Sequence, residues 1–175
     1  AVDGFSGRIL PYVNALDDRY FVPQLRFQGG AYSASFAFTP TMDRIVASTY
    51  RDPKVSETIE AIRAAAGVLE KLQLSEADRN GYILSSYGNA TAPCGCLGRR
   101  MAAMQHAYNG LDIVQIRRWT EEIRKTTAED QKEAARIIRR LLEEAWIVTT
   151  GNQTAIEMDR DCFDRIRDFR SKMAE

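Results

Sequence analysis

A period-two alternation of apolar and polar positions begins beyond two adjacent glycines, Gly29 and Gly30. Tyr32, Ala34, Phe36 and Phe38 fall on one side of it, and Ala31, Ser33, Ser35 and Ala37 on the other. Successive side chains leave opposite faces of a pleated strand, so this pattern predicts a half-buried β-strand. Thr39-Pro40-Thr41-Met42-Asp43 reads as a turn and Ile45–Tyr50 as a second short strand. Together they predict an antiparallel hairpin.

Helical periods surround the hairpin. Ile9, Leu10, Val13 and Leu16 share one helical face and predict a helix over Leu10–Tyr20. Pro11 fits its first turn, and Pro23 bars a simple continuation. Asp52-Pro53 predicts a capped helix start, and Ile59, Ile62, Ala66 and Leu69 repeat on one face to about Leu72. Ser75-x-x-Asp78 resembles a capping box and opens a helix with Tyr82, Ile83 and Tyr87. Gly88–Gly98 holds Pro93 and reads as a loop. The next helix, Arg99–Tyr108, stops at Asn109-Gly110.

Asp112 caps a helix that turns Ile116, Trp119 and Ile123 inward. Thr126-x-x-Glu129 predicts a capping box before Ala134, Ile137, Ile138, Leu141 and Leu142, a sharply amphipathic face. Trp146–Thr150 is strand-like, Gly151-Asn152 is a break, and Thr154–Glu157 is a weaker strand or a helix entry. A last helix is expected from Asp159 or Asp161, with Phe163, Ile166 and Phe169 inward. The expected class is α+β, an antiparallel or mixed sheet packed against several helices.

Composition narrows the function. At 175 residues the chain suits one domain, spanning 1–175, and is short for two. With 24 basic and 24 acidic side chains, no nucleic-acid partner and no membrane partner is expected. Neither a membrane-length apolar run nor a signal peptide is visible, which leads to the expectation of a soluble chain in the cytoplasm. The mixed charges between Arg117 and Glu144 read as solvated helix surface. Three cysteines, Cys94, Cys96 and Cys162, do not make a disulfide framework. Cys94-Gly95-Cys96 with His106 matches no common zinc spacing, so no metal is expected in this chain.

The candidate chemistry lies just before the strand, in Arg26-Phe27-Gln28-Gly29-Gly30-Ala31-Tyr32. Gly29 and Gly30 allow a sharp turn or close backbone approach. Arg26 offers a fixed planar cation for carboxylates and carbonyls. Tyr32 ends in a phenol able to donate to a developing oxyanion. A surface arginine, a glycine bend and a half-buried strand tyrosine would account for the same residues.

Arg26-x-x-Gly29-Gly30-Ala31-Tyr32, followed by Thr49-Tyr50-Arg51-Asp52-Pro53, resembles the C-terminal half of inverted zinc metallopeptidases. These are the pitrilysin and insulinase relatives, and the pattern is closest to the presequence-protease branch. Ser33 stands where that pattern has a further glycine, and Thr49 where it has serine. The stretch from Asn89 to Gly98 keeps Pro93 and Gly98 but lacks the acidic residues and lysine of the family loop.

The resemblance implies a LuxS-like metallopeptidase half-domain, truncated at its N-terminus, whose sheet lacks strands and exposes an edge. It also implies a division of labour. An N-terminal half of the same polypeptide would carry zinc on H-x-x-E-H. This half would supply Arg26 to hold the peptide and Tyr32 to donate to the tetrahedral intermediate, with Gly29 and Gly30 in the substrate-binding turn. The present chain has one histidine, His106, and no H-x-x-E-H, so it is not expected to cleave peptides alone. A catalytically silent paralogue of the same fold, serving as an assembly scaffold, would fit too. So would an unrelated α+β binding module.

Overall fold

A computed structural model describes residues 6–39 and 44–168. Leu10–Leu16 forms α1 with Pro11 in its first turn, as the missing N–H there predicts. Pro23 does not stop the helix. Asp17–Gln28 continues it in π-type turns. The wider turn moves the preceding carbonyls away from the pyrrolidine ring, which relieves the clash that breaks an α-helix.

Ser33–Thr39 (β1) and Arg44–Tyr50 (β2) pair antiparallel, with Phe36 opposite Ala47 and Phe38 opposite Ile45. This is the expected hairpin; of the expected turn Thr39–Asp43, Thr39 instead ends β1 opposite Arg44, and 40–43 lie outside the described residues. Phe36 and Phe38 are buried, while Ser33, Ser35 and Ala37 face out. The sheet has only these two strands among the described residues, so β2 has one free edge.

Val55–Lys71 forms α2, starting two residues later than Asp52-Pro53 suggests. Asp52 still serves the entry, accepting from the Lys54 amide at 2.9 Å and the Thr58 hydroxyl at 2.6 Å. Glu76–Thr91 forms α3 behind the expected Ser75–Asp78 capping box. It runs through Gly88 to Thr91, so the loop shrinks to 92–95. Thr91 helps close that last turn by donating to the Tyr87 carbonyl. Cys96–Tyr108 forms α4, which buries no residue, and Gly110 ends it at φ +68°.

Ile113–Arg124 forms α5, capped by Asp112 as expected. Only Ile123 is fully buried on it; Ile116 and Trp119 are half-buried. Asp130–Glu143 forms α6, but Thr126 and Glu129 make no capping box. The Thr126 hydroxyl is already donated to the Ile123 carbonyl at the end of α5. Thr127 takes over, its amide meeting the Asp130 carboxylate at 2.6 Å. Ala134, Ile137 and Ile138 are buried, as the amphipathic pattern requires.

Trp146–Thr150 has no regular secondary structure and joins no sheet. Its Trp146 is 95% exposed, so the run reads like a strand without having a partner to pair with. Gln153–Met158 forms α7, capped by Asn152. The expected final helix is absent from 163–168: a single 3₁₀ turn, Arg160–Cys162, stands in its place. Phe163 and Ile166 are only half-buried, so that stretch lacks the packing a marginal helix needs. Phe169 lies outside the described residues. The architecture remains α+β, mostly helical, with one antiparallel hairpin.

The core joins α1, the π-helical segment, β1, α2 and α6. Phe21 and Phe36 stack with ring centroids 4.6 Å apart, and Leu16, Ala65, Leu69 and Ile138 close around them. Asp17 ties hairpin to helix, since its Oδ1 accepts the Phe36 amide at 2.7 Å.

Burial pushes the Asp17 carboxyl above its ordinary 3.8, opposed by that hydrogen bond and reinforced by nearby Asp18. The folded chain therefore holds this proton more tightly than the unfolded chain does. The contribution to stability is full below 3.8 and is lost as pH rises through the raised folded value. Asp17→Asn keeps an oxygen acceptor and cannot ionise. Urea unfolding from about pH 3 to about pH 7 should show the variant gaining on the wild type as pH climbs through that window, then running parallel. A constant difference at every pH would contradict the assignment.

Candidate functional site

The turn between the π-helical segment and β1 is built by its own amides. Gly29 donates to the Gln24 carbonyl at 2.9 Å, Gly30 to Arg26 at 3.3 Å and Ala31 to Leu25 at 3.0 Å. Carbonyls left open at the helix end are thereby satisfied. The two glycines do different work. A Cβ at Gly29 would lie 2.6 Å from the Leu25 carbonyl oxygen, so no side chain fits there. Gly30 has space around it but sits at φ +88°, in the region L side chains avoid. Close approach and sharp turn, both anticipated for the glycine pair, are thus realised one at each residue.

This turn delivers Tyr32 to the start of the hairpin. The Tyr32 amide donates to the Tyr50 carbonyl at 2.9 Å, which pins the two chain ends together. Tyr32 is 65% exposed, more than a half-buried strand residue would be. Its ring meets that of Tyr50 edge-on, 6.0 Å away at 84°. The Arg51 guanidinium stands 5.8 Å from the Tyr32 ring centroid and 5.5 Å from that of Tyr50.

Arg26 lies in the last turn of the π-helical segment, with its guanidinium 5.6 Å from the Phe27 ring. It is exposed and makes no hydrogen bond or ion pair among the described residues. The cation over Tyr32 is Arg51, not Arg26. Sequence reasoning missed that second cation as a site residue. Its signal was present in the Thr49–Pro53 block, where arginine follows tyrosine at the end of a strand.

A groove of about 740 Å³ opens beside the cluster. Its walls come from Phe36 of β1, β2, the first half of α2, the end of α6, the irregular run 145–152 and α7. Ile45, Ala47, Ile59, Ile62 and Leu141 make the wall largely apolar, and Tyr50, Arg51 and Asp52 add polar groups to it. Arg26 and Tyr32 are not part of the wall. Tyr32 connects to it through its contacts with Tyr50 and Arg51.

The donors needed for a catalytic metal are not gathered here. Among the described residues no three His, Cys, Asp or Glu side chains could hold a metal ion together. His106 is on α4, and Cys94 and Cys96 are exposed free thiols. The described residues therefore do not gather the donor set of a catalytic zinc. Among the described residues no helix is long and apolar enough to cross a membrane.

No family model matches the chain. It is 24% identical over 163 residues to Protein HypA of Clostridium perfringens, covering 93% of this chain and 17% of that protein. It is 25% identical over 120 residues to the mitochondrial presequence protease of Emericella nidulans, covering 69% of this chain and 11% of that protein. For the mitochondrial presequence protease of Yarrowia lipolytica the identity is 25% over 134 residues, covering 77% and 13%. The chain thus spans less than a fifth of the length of these relatives. It has a weak, partial similarity to mitochondrial presequence proteases, consistent with the resemblance to pitrilysin-type peptidases carried by its glycine-tyrosine and tyrosine-arginine blocks.

Proposed function

We propose that this chain is a non-catalytic, substrate-binding domain of a zinc metalloendopeptidase that degrades peptides. The observation that carries the reading is the exposed Tyr32 phenol, set at the end of a glycine turn and held against Tyr50 and Arg51. Such a phenol can donate to the oxyanion formed when a peptide carbonyl is attacked. Arg26, exposed six residues earlier, is free to take a peptide carbonyl or a carboxylate. The zinc would reside in an N-terminal half of the same polypeptide, which would bring the catalytic base. The distant similarity to presequence proteases supports the peptidase-related part of this reading.

The test combines the purified chain with the zinc-bearing half from the same source and follows cleavage of a fluorogenic peptide. Neither part should cleave alone, and the mixture should. Arg26→Ala should raise KM by about tenfold and leave kcat nearly unchanged, the signature of lost ground-state binding. Full activity with both Arg26 and Tyr32 replaced would leave the chain as an assembly scaffold instead.

A further inference from the structure

We propose that Arg51 positions the Tyr32 phenol; this role rests on the peptide-binding reading above. Arg51 has φ +49° and is the only non-glycine residue at positive φ among the described residues. A residue with a Cβ is held in that region only when its surroundings over-determine it. A glycine would sit there without strain, so what arginine adds is its side chain.

That side chain does one identifiable thing. Its planar guanidinium faces two phenol rings at once, 5.8 Å from Tyr32 and 5.5 Å from Tyr50. The rings are nearly perpendicular to each other, and the backbones beneath them are joined by the Tyr32–Tyr50 hydrogen bond. No carboxylate competes from the adjacent residue, because Asp52 is engaged by the Lys54 amide and the Thr58 hydroxyl. A cation prefers ring faces and a ring edge prefers the neighbouring face, so the three groups restrict one another's rotation. An exposed phenol that would otherwise sample several rotamers is thereby presented in one direction. Pre-organisation of this kind is what a donor to a developing charge requires. Arg51 also lines the apolar groove, so the clamp stands where a bound peptide would reach Tyr32.

The test uses Arg51→Gly, Arg51→Gln and Arg51→Lys. Arg51→Gly relieves the backbone, so its urea midpoint should equal or exceed that of the wild type. Mixed with the zinc-bearing half, it should nevertheless lose about tenfold in kcat with KM nearly unchanged. Arg51→Gln should lose a similar factor, and Arg51→Lys, which restores the charge without the plane, should recover part of it. A residue that mattered only for folding would move stability and turnover in the same direction. On the chain alone, the Tyr32 and Tyr50 ring resonances should shift in Arg51→Gly and stay in place in Arg26→Ala. Unshifted rings, or full turnover in Arg51→Gly while Tyr32→Phe is impaired, would overturn the clamp. Full turnover in Tyr32→Phe would overturn the function reading, and the ring resonances would still judge the clamp.

Discussion

Tyr32→Phe will lower peptide turnover in the reconstituted peptidase by about 10²–10³-fold, equal to roughly 2.7–4 kcal/mol of transition-state stabilisation. The substitution removes one oxygen and keeps the ring. The edge-on contact with Tyr50 and the guanidinium contact with Arg51 both survive it, because both are made to the ring. The residue is 65% exposed, so unfolding free energy should change by less than about 0.5 kcal/mol. The loss should appear in kcat, with KM nearly constant, since the phenol would act only once the carbonyl oxygen becomes charged. Steady-state kinetics beside a urea titration separates these quantities. An unimpaired variant would mean that the oxyanion is held by another group. The glycine turn would then be structural only.

The contrast between what the sequence makes legible and what it hides follows from the range of the interactions. The hairpin was readable because Phe36 and Phe38 alternate with Ser35 and Ala37, and the pleat transmits that alternation directly into burial. The α6 face and the Ser75 and Asp112 caps were readable for the same reason, each being set within one or two turns. The Thr126 cap failed because its hydroxyl had a nearer demand, the open Ile123 carbonyl, which belongs to the preceding helix. Pro23 failed as a stop because the helix changed its hydrogen-bonding period around it. Trp146–Thr150 has a strand's composition, but a strand is a relation between two segments, and no described segment pairs with it.

The site divides in the same way. Gly29, Gly30 and Tyr32 could be singled out because their properties are local: a clash with a neighbouring carbonyl, a positive φ and a phenol. That Arg51 rather than Arg26 would face Tyr32 was not local. It depends on the β1–β2 register, which sets the start of one strand beside the end of the other.

The larger structural effect is expected at Phe36, which anchors that register. Phe36→Ala should cost about 3–5 kcal/mol, the usual loss for emptying a buried aromatic site. Phe36 is 1% exposed and lies parallel to Phe21, which is fully buried, so no solvent is at hand to fill the space. Against a typical domain stability of about 5–15 kcal/mol, one such change consumes a large share. Phe21→Ala alone should cost a similar amount. The double variant should fall short of the sum by about 0.5–1.5 kcal/mol, because each single change already breaks the ring stack. Urea unfolding of the four proteins at a common slope supplies the cycle. Strict additivity would mean that the two rings are buried side by side without supporting each other. The consequence reaches the site, because the Phe36 amide bonds Asp17 and its strand begins one residue after Tyr32. A hairpin loosened at Phe36 should let the Tyr32 and Tyr50 rings separate while the helices persist, so ring order should be lost at lower urea than helical signal. Coincident loss of both would make the hairpin and the helical core one cooperative unit, with Phe36 as their common support.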